Sequence, residues 1–243
     1  MTLGLWQVRW ESGPEGPYRV GTADPAGERP ARASSAADPV TVLVLPGRGD
    51  SLELRARVAK GLIRHGVQVV MVEHVGQGAS PGLGVRPDAV HIDDFDTHAA
   101  AALAEADRLD GPVVLLAHSM GGLVAAHVMA ARPDRFASAV ITSPMWGFAS
   151  VLPLPVTRLL ADLAGRAGKA AELAAGERPF DVESCLRMRG AAGDQAPELR
   201  EHARRHPDLV RGGSTWGWVR LLPRRCSSSV AFHWTGCGAR SPW

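Results

Sequence analysis

Val113-Val-Leu-Leu-Ala-His-Ser-Met-Gly-Gly-Leu-Val-Ala-Ala126 is the stretch on which the reading of this chain turns. It opens with a short apolar run of the kind that forms a strand buried on both faces. From Met120 to Ala131 the small and apolar residues continue at a length that suits a helix. Ser119 therefore sits at a strand-to-helix corner, where a strained turn lifts its hydroxyl from the carboxyl edge of the sheet. Small residues at Ala117 and Gly121 let the backbone pass close to its neighbours. The Met120 amide, at a helix start, is placed to face a negative charge developing on oxygen. Ser119 is the candidate nucleophile.

Upstream, Val40–Leu45 reads as a buried parallel strand ending in Pro46-Gly-Arg-Gly49. The loop Leu45–Asp50 is expected to turn backbone amides toward Ser119 and to supply a second oxyanion donor. Ser51–His65 carries Leu52, Val58, Leu62 and Ile63 at helical spacing, and Gly66 stops it. Val67–Glu73 is a second strand, closed by a Gly76-Gln-Gly78 turn. That turn lacks the third glycine of a dinucleotide-binding loop. Asp93 and Asp94 stand at the start of an Ala-rich helix reaching about Leu109, where carboxylates suit the helix N-terminus. Capping and a solvated face account for His91, Asp93, Asp94, Asp96 and His98 more simply than metal ligation. His118 points away from its neighbour on an extended segment, as a packed histidine and not the base. Pro112–Ala117 and Ser138–Thr142 complete four strands alternating with helices, which predicts a doubly wound, mostly parallel α/β sheet.

The flanks are less regular. Residues 5–10 alternate, with Trp6, Val8 and Trp10 on one side, and read as an edge or hairpin strand; residues 21–39 read as a loop. After Pro144 the period fails. Residues 145–220 are helical in flavour but broken by Pro153, Pro155, Pro179 and Pro197, and include the apolar positions Val151, Leu152, Leu154, Val156, Leu159 and Leu160. The expected division is a core at 1–144, a helical cap at 145–220 and an atypical tail at 221–243.

Composition narrows the function classes. In 243 residues, 45% are hydrophobic and 21% charged, values of a soluble globular protein. The net charge of +2 and the absence of a basic helix argue against nucleic-acid binding. No apolar run approaches the ~20 residues of a membrane-spanning helix, and no signal peptide is read at the N-terminus. Cys185, Cys226 and Cys237 form neither a disulfide framework nor a zinc pattern, so a cytoplasmic location is expected, with no metal and no cofactor.

Several motifs together resemble the α/β-hydrolase superfamily and, within it, the L2-type lysophospholipase and monoacylglycerol-lipase group. They are Pro46-Gly-Arg-Gly49, Glu73-His-Val-Gly-Gln-Gly-Ala-Ser80, Leu116-Ala-His-Ser-Met-Gly-Gly122, Ser143-Pro-Met-Trp-Gly147 and Val210-Arg-Gly-Gly-Ser-Thr-Trp-Gly-Trp-Val219. The resemblance implies a serine hydrolase of lipid-like carboxylic esters, with Ser119 as nucleophile and the Arg48 and Met120 amides as oxyanion donors. Trp146, Val151, Leu152 and Leu154 would line a cap over the acyl chain, with peripheral contact to the inner membrane. The group has Asp where Glu73 stands and Arg where Val75 stands.

The tail departs further. The group continues past the cap with two strand-helix units that carry an acid and a base histidine. Residues 221–243 are 23 in number, short of the ~30 of one strand-crossover-strand unit. They hold no Asp or Glu and a single histidine, His233, the weakest candidate for the base. The sheet is therefore expected to lack its last two strand-helix units and the chemistry to be impaired. Two other readings stand beside this one. The first is a catalytically inactive, truncated homologue; the second is a small-ester esterase or thioesterase.

Overall fold

The computed structural model describes residues 2–25, 40–82, 86, 88–146, 152–189 and 195–221. The strands are β1 Thr2–Leu3, β2 Trp6–Gly13, β3 Gly16–Ala23, β4 Thr41–Leu45, β5 Gln68–Glu73, β6 Val113–His118 and β7 Phe136–Thr142. Between them run α1 Leu52–Ile63, α2 Phe95–Arg108 and α3 Met120–Ala131. Both of the first two helices begin where a side chain satisfies an orphan amide. Ser51 accepts from the Leu54 N–H, and Asp94 accepts from the Asp96 N–H.

All seven strands form one sheet in the order β1-β2-β3-β5-β4-β6-β7. β5, β4, β6 and β7 are parallel, while β1, β2 and β3 form an antiparallel meander joined to β5 through β3. The alternation of β4 shows how the layers are built. Leu43 and Leu45 enter a core with residues of α2 and α3, whereas Val42 and Val44 face the other way, into a core with Leu52, Ala59 and Ile63 of α1. The helices thus cover opposite faces, as a doubly wound sheet requires.

Three readings of the sequence are corrected. β3 carries Gly16, Pro17 and Gly21, poor strand formers that hide it in the sequence; pairing on both sides with β2 and β5 makes it a strand. Its last three residues, 21–23, fall in what was read as loop, and residues 26–39 lie outside the described residues. Trp6 and Val8 are buried as the alternation predicts, but Trp10 is 50% exposed, because the neighbouring core ends before it. β7 starts at Phe136, two residues before the expected strand.

Beyond β7 come α4 Leu154–Arg166, α5 Val182–Arg189, α6 Gln195–Arg205 and α7 Trp216–Arg220. α7 returns to the main core, where Trp218 and Val219 are buried. Bridges Val90–Ser214 and Leu173–Thr215 bind this return to the rest of the chain. Among the described residues, no helix is long and apolar enough to cross a membrane.

β7 ends the sheet with an outer edge that no described strand pairs, and Val140 on it is 51% exposed. A half-apolar open edge is a template for a second chain. Val140→Lys is expected to lower concentration-dependent self-association in static light scattering while moving stability by no more than about 0.5 kcal/mol. Equal scattering from both proteins would show that this edge is not the contact.

Candidate active site

Ser119 stands between β6 and α3 with φ 51° and ψ −115°, in a region of backbone space that serine rarely occupies. The turn is held from three directions. The Ser119 N–H donates to the Thr142 carbonyl at 3.0 Å, and the Ser119 carbonyl accepts from Gly122 at 2.9 Å and Met145 at 3.0 Å. Ser143, at the end of the adjacent β7, also has positive φ, 45°. Close packing explains the small residue at 121: a Cβ there would lie 2.0 Å from the Leu45 carbonyl oxygen of β4. Ser119 is half-buried, and among the described residues its hydroxyl has no hydrogen-bond partner.

The loop after β4 lies directly against the serine. A Cβ added at Gly47 would be 3.4 Å from the Ser119 Cβ and 3.2 Å from His118 Cδ2. The loop is shaped by side chains beneath it. The Asp50 carboxylate accepts the Gly47 N–H at 2.7 Å and pairs with Arg55 at 2.5 Å, and the buried Gln77 Oε1 accepts the Gly49 N–H at 2.6 Å. Arg48 is bracketed by these two anchored glycines. Met120 is the first residue of α3, so its amide has no carbonyl one turn earlier to bond.

Gln77 in turn depends on Glu73, the last residue of β5 and fully buried. Glu73 accepts from Arg19 at 2.8 and 2.5 Å, from the Leu52 N–H at the start of α1 at 3.0 Å, and from the Ala79 and Ser80 N–H groups, each at 2.9 Å. Arg19 also forms a two-pronged pair with Glu53 at 2.9 and 3.0 Å. Position 73 is therefore the anchor of the turn that presents Gln77. The arginine that balances it comes from β3, and Val75 is buried in the main core.

Behind the turn, His74 and His98 stack with ring centroids 4.5 Å apart and planes 19° from parallel. Both are almost completely buried, and both His74 ring nitrogens, the His98 Nε2 and the Gln77 Nε2 have no hydrogen-bond partner among the described residues. Burial pushes the His74 imidazolium down to about 4, against a smaller opposing pull from Asp50. Burial, aided by His74, pushes His98 well below the usual histidine range. Both rings are neutral at pH 7.

The structure thus brings Ser119, Met120 and the Arg48 loop together. The His118 Nδ1 lies 3.0 Å from the Thr142 Oγ1 on the neighbouring strand. Leu154 packs against the main core, whereas Leu152 and Trp146 are 41% and 38% exposed. Val151 and His233 lie outside the described residues. Among the described residues, no cluster of His, Cys, Asp or Glu could hold a metal ion; Asp94 caps α2 and the His91 Nδ1 lies 2.6 Å from the Thr215 Oγ1. Sequence reading missed Arg19 and Gln77, whose partners lie 54 and 28 residues away.

A strained serine at the carboxyl edge of a doubly wound sheet, with an amide-bearing loop against it, is the arrangement of an α/β hydrolase. The family described as Serine aminopeptidase, S33 matches residues 38–228, and the chain belongs to that family. It is 28% identical over 190 residues to Lysophospholipase L2 of Escherichia coli (strain K12), covering 74% of this chain and 55% of that protein. It is 35% identical over 104 residues to Monoglyceride lipase of Mus musculus, covering 41% and 31%. The chain thus spans about half the length of the L2 relative. Among solved structures, it matches a monoacylglycerol lipase of Paleococcus ferrophilus with TM-score 0.57 and 20% identity, over 75% of this chain and 63% of that one. It matches a soluble variant of monoglyceride lipase from Saccharomyces cerevisiae, in complex with a substrate analog, with TM-score 0.60 and 16% identity, over 93% and 70%. At these identities the shared feature is the fold.

Two stability measurements test the supports of the site. Glu73→Gln strips a buried arginine of its main counter-charge and is expected to lower unfolding free energy by about 3–5 kcal/mol in urea titration. Arg19→Met is expected to cost at least as much, since it removes the shared counter-charge of both Glu73 and Glu53. The histidine stack sets a pH dependence. The unfolded chain protonates His74 near its ordinary 6.5 and the folded chain only near 4, so the unfolded state binds more protons between those values. Stability therefore falls as pH drops from 6.5 to 4, by about 3 kcal/mol from His74 alone. Denaturant midpoints should fall more shallowly across that window in His74→Phe. A profile as steep as the parent's would refute this account.

Proposed function

We propose that this chain is a serine hydrolase of carboxylic esters of lipid-like alcohols, of the lysophospholipase or monoacylglycerol lipase type, and that Ser119 is its nucleophile. The observation that carries the reading is the left-handed backbone at Ser119, maintained against strain by three hydrogen bonds in contact range of the loop after β4. Strain of about 1–3 kcal/mol persists only where the surroundings over-determine it, and such sites cluster at functional positions.

In this mechanism the Ser119 Oγ gives up its proton to a base and attacks the ester carbonyl carbon. The carbonyl oxygen takes up negative charge opposite the Arg48 and Met120 amides. Collapse of the tetrahedral species breaks the bond to the alcohol, which leaves with a proton. Water then attacks the acyl-serine, releasing the fatty acid and restoring the hydroxyl. His233 is the base candidate of the tail.

The substrate class rests on the relatives' names and on the helical segment after β7, which we read as a cap. α4 exposes Val156, Leu159, Leu160 and Leu163, and Leu152 just before it is exposed too. An apolar row of this kind suits an acyl chain or a lipid surface. Small soluble esters would not need it.

Hydrolysis of 4-nitrophenyl butyrate beside Ser119→Ala tests the nucleophile. Turnover lost in the variant, with an acyl adduct on Ser119 by mass spectrometry, is the expected result; identical traces would refute the assignment. Paired substitution of Leu159 and Leu163 by Glu is expected to slow hydrolysis of a long-chain monoacylglycerol about tenfold or more, through loss of apolar contact, and to leave the butyrate rate unchanged. Equal effects on both substrates would remove the cap from lipid recognition.

A further inference from the structure

The side chain of Arg48 leaves its loop and reaches the return segment around α7. It donates a hydrogen bond to the Ser214 Oγ, stands 3.6 Å from the Glu177 carboxylate, and lies over the Trp218 ring at 5.5 Å from the centroid. Each of these partners is itself fastened. Glu177 Oε2 accepts the Ser214 N–H at 2.9 Å, and the Ser214 carbonyl accepts the Ala174 N–H at 2.9 Å. Trp218 is 1% exposed and meets Phe95 of α2 edge-on, with centroids 6.1 Å apart. At the other end, the backbone on either side of Arg48 is tied to the sheet side of the site through Gly47–Asp50 and Gly49–Gln77.

The residue is thus a strut. Its amide belongs to the loop against Ser119, and its guanidinium belongs to residues 177–218 beyond β7. The indole covers a guanidinium face while Ser214 and Glu177 engage its polar rim, so the group is occupied by protein rather than offered to a substrate headgroup. We propose that Arg48 is a positioning residue: its side chain locks the helical segment after β7 to the oxyanion loop, so that the placement of that segment sets the direction of the Arg48 amide. This rests on the reading of Ser119 as an acyl-transfer nucleophile and adds the element that aligns its oxyanion donor. The coupling is physical, since a donor must lie within about 2.7–3.1 Å of the developing oxyanion and loss of one donor costs roughly 10²–10³ in kcat.

The test compares the full chain with Arg48→Ala, Arg48→Lys and Glu177→Gln by hydrogen–deuterium exchange and by kinetics on 4-nitrophenyl butyrate. Arg48→Ala is expected to speed exchange about fivefold or more in peptides covering both 45–50 and 212–218, with β4 and β6 unchanged. In the kinetics, kcat should fall about tenfold or more with KM little altered, the pattern of an interaction made in the transition state. Arg48→Lys should recover part of the effect, because an ammonium can pair with Glu177 but cannot stack on the indole with a planar face. Faster exchange confined to 212–218, or unchanged kcat, would overturn the proposal. If the parent chain and Ser119→Ala turn over the ester equally, the acyl-transfer reading fails, and the exchange data alone still decide the strut. If Arg48→Ala does not fold, Glu177→Gln delivers the same comparison.

Discussion

One buried carboxylate organises this molecule. Glu73 ends a central strand, and its two oxygens take up an arginine of the antiparallel meander, the first amide of α1 and two amides of the following turn. A charge so far from water is tolerable only when it is paired and its lone pairs are filled. Filling them draws three separate pieces of chain to one point: β3, the start of α1, and β5 with the turn that follows it. The turn so formed presents Gln77 to the loop after β4. The shape of the loop that lies against Ser119 thus depends on an acid whose own partners are Arg19, Leu52, Ala79 and Ser80.

The serine corner works by the opposite means. Its backbone is held away from its preferred conformation by hydrogen bonds to the adjacent strand and by packing that leaves no room for a Cβ at residue 121. Strain at Ser119 and the satisfied charge at Glu73 are complementary. The first is a conformation the residue would not choose, held by Thr142, Gly122 and Met145; the second fixes the turn that anchors the facing loop.

How much of this was legible in the sequence follows from which signals are local. The corner could be read because strand, serine, glycines and helix are consecutive, and the parallel strands because fully buried strands are apolar throughout. β3 could not, since its glycines and proline obey no strand pattern and its existence depends on two partners. Position 73 was seen as a substitution within a motif, but its energetic weight was hidden: Arg19 lies 54 residues away. Arg48 was read for its amide alone, because its side chain's partners are up to 170 residues distant along the chain. The stacked histidines were read on their own helix and turn, and nothing local indicates that the rings meet.

Those long separations have a kinetic consequence. The meander and the parallel strands join through β3 and β5, and the site closes only when residues near 48 and 73 meet others near 19 and 214. Each such encounter closes a long loop before it gains any contact energy, which is the topology of a slow folder. During that interval the apolar strands of the centre have their hydrogen-bonding edges open. The same wiring that aligns the serine makes the nascent chain dependent on reaching its last contacts before it meets another copy of itself.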